Sequence, residues 1–275
     1  MDVSDPTLHL LGVERSSSGY LRDLWERREF AVVVPANDIR AQNMDTLLGQ
    51  MWHILNPAAL VAVYWLVFDV LLKTSRGIDN YLGFLVVGIL FFQLTQRVIL
   101  DGAIAIPRNE GLIRSIQFPR ALLPISSLTG QTIAFLPALL VMAVTLCLTG
   151  AYPTWRWFMV IPVLVAQALI NLAGGLVMAR LGATVRDLRE ILPHLMRLLF
   201  YVSGILFSVE RVIANETVVS LMALNPIYSI VSAARWSLLG ADAGSEIWLS
   251  LVLWSVITPW FALRFFRAHE HRYGA

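Results

Sequence analysis

The chain has 275 residues, 57% of them hydrophobic and only 15% charged, with a formal net charge of +2. A soluble domain of this size covers its surface with far more charge, so the composition excludes one and describes an integral membrane protein. So small a net charge gives no argument for nucleic acid, and the single cysteine, Cys147, excludes a disulfide or a cysteine-based metal site within one chain.

No cleavable signal peptide is visible, because residues 1–50 are polar and amphipathic and the first apolar run has spanning length. Residues 20–30 place Tyr20, Leu21, Leu24 and Trp25 on one helical face, with Arg22, Asp23, Glu26, Arg27 and Glu29 on the other. That is the pattern of an amphipathic helix lying at the membrane interface. Pro35 is expected to end the Val run that follows, and Asn37 or Asp38 to cap a second short helix leading to Gly49. The N-terminal region is thus residues 1–49, and a six-span membrane domain fills 50–275.

Span 1 covers about Met51 to Leu72, and span 2 about Tyr81 to Ile106. Between spans 2 and 3 lies a hinge, 107–124, punctuated by Pro107, Gly111, Pro119 and Pro124. Residues 109–116 can make about two helical turns. Leu112, Ile113 and Ile116 fall on one side, with Arg108, Glu110 and Arg114 offered to another surface. A loop between two spans needs polarity, but it does not need a proline-bracketed helix, so this is read as a docking element. The plainer alternative is a tight, positively charged turn that anchors two helices. Span 3 runs to about Thr149, an aromatic boundary of Tyr152, Trp155 and Trp157 follows, and span 4 reaches about Met178. A second polar hinge, Arg180 to Glu190, contains Arg186, Asp187 and Arg189. Span 5 runs from about Ile191 to Val209 and span 6 from about Ile247 to Phe266, leaving 210–240 between them.

The distribution of cations sets the orientation. Fifteen of the 21 basic residues fall before span 1, in the two hinges or at the C-terminal end, and five fall on the other side. Both termini and both hinges are therefore expected in the cytoplasm. A seventh span across 217–234 would put Arg267 and Arg272 outside, against the rule. A re-entrant helical pair broken at Asn225-Pro226 fits better. The expected fold is all-α, with six transmembrane helices.

Charges within spans are functional candidates. Arg97 and Asp101 can pair at i,i+4 near the cytoplasmic boundary. No carboxylate sits at a midplane to relay protons or hold sodium. A phosphate-binding loop requires glycine before its lysine, but Leu72 precedes the only lysine, Lys73. ATP hydrolysis is excluded for this chain, so any driven transport needs an ATPase in trans. Asp101-Gly102 and Asp79-Asn80 are isolated, and His269-Glu270-His271 reads as a solvated terminus. Tyr64, Trp65 and Phe68 in span 1, and Phe200, Tyr201 and Phe207 in span 5, are deep aromatics. Phe200, Gly204 and Phe207 would share a face at helical spacing. Such stripes pack helices or meet lipid; alternatively, their faces stack on sugar rings along a path.

Four stretches carry a resemblance: 48–57 (LGQMWHILNP), 109–124 (NEGLIRSIQFPRALLP), 186–193 (RDLREILP) and 224–235 (LNPIYSIVSAAR). In this order the chain resembles the membrane subunit of ABC-2-type polysaccharide exporters, the Wzm/TagG group, from about residue 20 to its end. The resemblance implies a type V exporter-like fold, with 107–120 as the main coupling helix and 180–190 as a second ATPase contact. On that reading Arg108, Glu110, Leu112, Arg114, Arg186 and Asp187 would couple to the ATPase. The 20–30 segment would be an interfacial gate helix, and 210–240 would form outer gate helices. Two copies would enclose a channel lined by spans 1 and 5, with Tyr64, Trp65, Phe68, Phe200, Tyr201 and Phe207 along it. Two Wzt-like ATPase subunits beneath would bind ATP and Mg²⁺, and this chain would hold no cofactor. Trp25, Arg27, Arg28 and Arg40 would form the gate and headgroup site for a lipid-diphosphate-linked polysaccharide. A bacterial plasma membrane is implied, and the preference for Arg over Lys points to an actinobacterial galactan exporter. The chain departs from the family where Arg40-Ala41-Gln42-Asn43-Met44 replaces a basic, aromatic patch. It departs again where Ser203-Gly204 replaces Ser-Pro, leaving an expected flexible point. An ABC-2 permease for a small drug or lipid, and a polytopic lipid-phosphate transferase, stay open as alternatives.

Overall fold

The computed structural model describes residues 17–41, 48–71, 77–116, 118–209 and 216–268. Among these residues every regular element is helical. The helices are α1 (Ser17–Glu26), α2 (Arg28–Ala41), α3 (Trp52–Tyr64), α4 (Tyr81–Arg108), α5 (Glu110–Ser115) and α6 (Leu122–Leu148). They continue with α7 (Val160–Thr184), α8 (Leu188–Val202), α9 (Glu216–Met222), α10 (Pro226–Leu239) and α11 (Ser245–Arg267).

Four helical stretches are long and apolar enough to cross a membrane: α4, α6, Trp155–Thr184 containing α7, and α11. These match expected spans 2, 3, 4 and 6. The other two expected spans are shorter as α-helices. α3 widens into a π-helical segment, Trp65–Leu71. α8 stops at Val202, where Ser203-Gly204 turns, so Phe200, Gly204 and Phe207 do not share one helical face. α10 has 14 residues, roughly 21 Å of rise against a hydrocarbon core of about 30 Å. It is too short to span.

α4 is the axis of the fold. Its most apolar window is 72% buried, against 22–39% for the other three long helices. It packs on α7, α6, α10 and α8. With α7 the backbones meet directly: a Cβ at Gly102 would lie 2.8 Å from the Gly175 Cα. Small residues permit such approach, which matters where lipid supplies no hydrophobic drive between helices. Buried Gln167 of α7 donates to the Phe91 carbonyl (2.8 Å) and to Thr95 Oγ1 (3.0 Å) of α4. Asn80 caps α4 through Oδ1 on the Gly83 amide (2.9 Å). Its Nδ2 donates to Thr149 Oγ1 (2.9 Å) just past α6, pinning two helix ends together.

The opposite end is gathered by a second apolar cluster. It joins Tyr20 of α1, Ile106 of α4, Ile113 of α5, Leu123 of α6, Leu176 of α7 and Phe266 of α11. The Arg267 guanidinium stacks over the Tyr20 ring at 4.7 Å. The N-terminal helix, the first hinge and the end of α11 therefore share one face of the bundle.

The N-terminal region departs from its expected form. α2 runs through Pro35, Asn37 and Asp38 instead of ending there. Pro35 is buried against Gly130 of α6, where a Cβ would come within 2.9 Å of its ring. Packing along α6 outweighs the lost backbone hydrogen bond. Trp25 leaves the face formed by Tyr20 and Leu24 and is 69% exposed. Five positions of helix place it about 140° from Tyr20.

Candidate functional site

At the first hinge, Asn109 ends α4 and its Nδ2 donates to the Ala105 carbonyl (2.8 Å). α5 then forms within the expected bounds. Ile113 is buried in the hinge-end cluster and Leu112 packs beside it. Ile116, grouped with them on sequence, lies beyond the helix with extended backbone and is 50% exposed. Arg108, Glu110 and Arg114 are exposed, and Glu110 and Arg114 face each other at 4.0 Å. A pair so exposed adds little stability. The element is a short helix with one apolar foot and a charged outer side.

Arg186 and Asp187, in the turn between α7 and α8, are also exposed. Arg27 and Arg28 join Trp25 on the outside of the N-terminal helices. Arg28 stacks over the Trp25 ring at 5.0 Å and donates to the Trp25 carbonyl (3.1 Å). The side chain of Arg40 lies outside the described residues, as do His269, Glu270 and His271. Phe30 meets Phe118 at 5.7 Å, which brings the N-terminal segment against the hinge.

The six aromatic candidates divide. Tyr64 and Phe68 stack in parallel at 6.0 Å, Phe68 meets Tyr81 edge-on at 5.7 Å, and Tyr81 stacks on Phe84 at 6.3 Å. Phe200 packs on Phe92 at 5.2 Å and on Tyr201 at 5.4 Å. Tyr64, Phe68, Phe200 and Phe207 are partly buried against the core, whereas Trp65 and Tyr201 are about half exposed. The first four hold spans together, and the latter two present their rings outward.

Sequence reasoning missed a buried and heavily bonded arginine. Arg235, one of the five cations counted on the outer side, is 4% exposed inside α10. Its guanidinium lies 3.3 Å from the Phe84 ring centroid. It donates to the carbonyls of Phe84 (3.2 Å), Gly204 (3.0 Å) and Ile205 (2.8 Å). Gly204 adopts φ +64°, a left-handed turn suited to glycine. Gly88 leaves room for the guanidinium, since a Cβ there would lie 2.6 Å from Nη2. Asn225 caps α10 through the Ile227 amide (3.0 Å) and donates to Ser203 Oγ (3.0 Å). Trp254 of α11 donates to the Leu224 carbonyl (2.9 Å) in the turn that joins α9 to α10. The break after α8 is thus fixed by α4 and α10, not left flexible. The signal in the sequence was an arginine within a helix opened by Asn225-Pro226, whose neighbours on every side are apolar or small.

Residues 36–239 match the family model described as ABC-2 type transporter. Among curated proteins, the chain is 28% identical to an O-antigen export system permease protein of Myxococcus xanthus, over 92% of this chain and 97% of that one. A permease of the same description from Klebsiella pneumoniae is 23% identical over 93% and 95%. A polysialic acid transport protein of Escherichia coli is 21% identical over 85% and 90%.

Proposed function

We propose, from the premise that this chain belongs to the ABC-2 type transporter family, that it is the membrane subunit of an ATP-driven polysaccharide exporter. The observation that carries this is near end-to-end likeness to an O-antigen export permease, covering 92% and 97% of the two chains. The substrate is a lipid-diphosphate-linked glycan moved outward across the bacterial plasma membrane, and a galactan is the member of that class favoured by the arginine bias. The chain is not an enzyme by itself. ATP and Mg²⁺ belong to two ATPase subunits received at α5 and at the Arg186-Asp187 turn, both exposed and charged.

The finer architecture is also a proposal. α3 with Trp65–Leu71, and α8 with the turn after it, complete six spans around α4, α6, α7 and α11. α9 and α10 form the re-entrant pair. Hinges and termini face the cytoplasm, as the cation distribution requires. A second copy covers the apolar surface of α3, of the segment after it and of α8, where Val63, Leu66, Leu195 and Leu198 are all exposed. Trp65 and Tyr201 then face the glycan path.

The experiment is co-purification. The tagged chain, extracted in gentle detergent, is expected to bring a stoichiometric ATPase, and export of labelled glycan-lipid is expected to need both. Glu110→Ala with Arg114→Ala should cut ATPase binding or its stimulation. A chain that purifies alone and supports no glycan export would overturn the reading; flux of a small drug instead would replace it with the drug permease.

A further inference from the structure

α3 packs along α6 and α4, and beside its first half the three helices surround a cavity of about 50 Å³. At the roughly 10–15 Å³ that one water needs, it has room for about three to five. It is far below the roughly 300 Å³ at which small-molecule pockets begin. Its walls are polar on all three sides: His53 and Asn56 come from α3, Gln93 and Arg97 from α4, and Gln131 from α6.

The walls also balance in charge. Asp101, expected to pair with Arg97 one turn away on α4, accepts a hydrogen bond from the lining Gln131 through its Nε2. Cation and anion are therefore both built into the wall, and a site without net charge has no claim on a free metal ion or phosphate. It does hold polar groups that need partners. His53 Nε2 is buried with no hydrogen-bond partner among the described residues. Pro57, which also lines the cavity, has no N–H to give to the His53 carbonyl four residues back. Arg97 is exposed on a helix long enough to span, and an arginine in that setting faces a bundle interior or a water-filled space.

The way α3 is attached points in the same direction. Gln167 ties α7 to α4, and Arg235 ties α10 to α4, by direct hydrogen bonds. Among the described residues no side-chain hydrogen bond ties α3 to α4 or α6. Leu60, Val61 and Tyr64 hold its second half by apolar contact, while its first half meets the other two helices across the cavity. Polar groups that face each other over such a gap are bridged by water, at nearly the enthalpy of direct bonds. Water bridges re-form when one helix moves, whereas direct bonds between fixed side chains break.

We infer that the cavity is a hydrated seam: about three to five ordered waters join α3 to α4 and α6, and α3 shifts on them. The hydration is independent of the export reading above; the use of the shift in glycan passage rests on it.

The first test is a cryo-EM map of the permease in nanodiscs, at a resolution that shows ordered water. Density is expected in the cavity within hydrogen-bond reach of His53 Nε2. A lipid tail there, or His53 bonded directly to α4 or α6, overturns the seam. The second test uses His53→Phe with Asn56→Leu, which gives α3 an apolar wall that expels water. Hydrogen–deuterium exchange of α3 is expected to slow by about ten-fold, the factor for about 1.4 kcal/mol of opening free energy. Gln93→Leu, on the facing wall, should slow it to a smaller degree, and it carries the test where the double variant does not fold. Glycan export by the double variant should fall well below wild type while the accompanying ATPase still binds. Exchange of α3 unchanged in both variants, or export at the wild-type rate with α3 slowed, overturns the shift. Ordered waters in a chain that exports nothing and recruits no ATPase would sink the export reading and leave the seam standing.

Discussion

The two ends of this protomer handle arginine in opposite ways. At the hinge end, Arg108 and Arg114 are exposed, with Glu110 4.0 Å from Arg114 and only Ile113 of α5 buried beneath them. At the other end Arg235 is 4% exposed, stacked on Phe84 and bonded to three carbonyls from two segments. A surface cation held by little is available to a partner. A buried cation held by several acceptors is part of the scaffold, because in a medium without water the turn carbonyls of Gly204 and Ile205 would lose their donor. The first arrangement favours docking and the second favours holding a turn.

The sharpest way to break this contrast is at the buried arginine. Arg235→Met leaves the Gly204 and Ile205 carbonyls, which lie outside any helix, without that donor, at about 1–3 kcal/mol for each acceptor stranded, while the Phe84 carbonyl keeps its bond within α4. We expect a loss of about 2–6 kcal/mol, read as a large fall in thermal unfolding temperature in detergent and in the amount of protein that reaches the membrane. Next is the foot of α5. Ile113→Ala removes its buried side chain from the hinge-end cluster and is expected to cost about 2 kcal/mol, the low end for such truncations because the site is at a rim. ATPase stimulation should fall further than that stability loss alone explains. Gly204→Ala tests the turn that Arg235 holds. A left-handed alanine costs of order 1–2 kcal/mol, and its Cβ would also stand 2.8 Å from Val209 Cγ2. The smallest stability effect should come from Glu110→Ala with Arg114→Ala, within about 0.5 kcal/mol of wild type. That double variant should nonetheless lose ATPase coupling. If it melted as early as Arg235→Met, the contrast between a docking end and a holding end would be wrong.

Much of this was legible in the sequence because it is local. The long apolar runs of α4, α6, α7 and α11 declare themselves by length and hydropathy, and α5 follows from charge and proline spacing around 109–116. What could not be read depends on residues far apart in the chain. Pro35 stays helical because Gly130 receives it. α8 ends early because Arg235, some thirty positions later, fixes the Gly204 turn. Asp101 takes its hydrogen bond from Gln131 of α6, thirty positions away, although Arg97 lies one turn back on its own helix. Periodicity reports which face of a helix is apolar; it does not report which polar group reaches across to a neighbouring helix.

The amide of Gln167 carries one further consequence. By bonding the Phe91 carbonyl and Thr95 at the buried centre of the α4–α7 contact, it resists any sliding of those helices along each other. A shift of even one turn would break both bonds where no solvent can replace them. With α4 also pinned to the end of α6 through Asn80 and Thr149, these three helices form one stiff body. Mechanical compliance is then left to the periphery, to α3, where no residue is buried, and to α8, which holds on by Leu192 and Met196. Widening and narrowing of a passage in this protein would be a matter of two outer staves moving against a fixed keel.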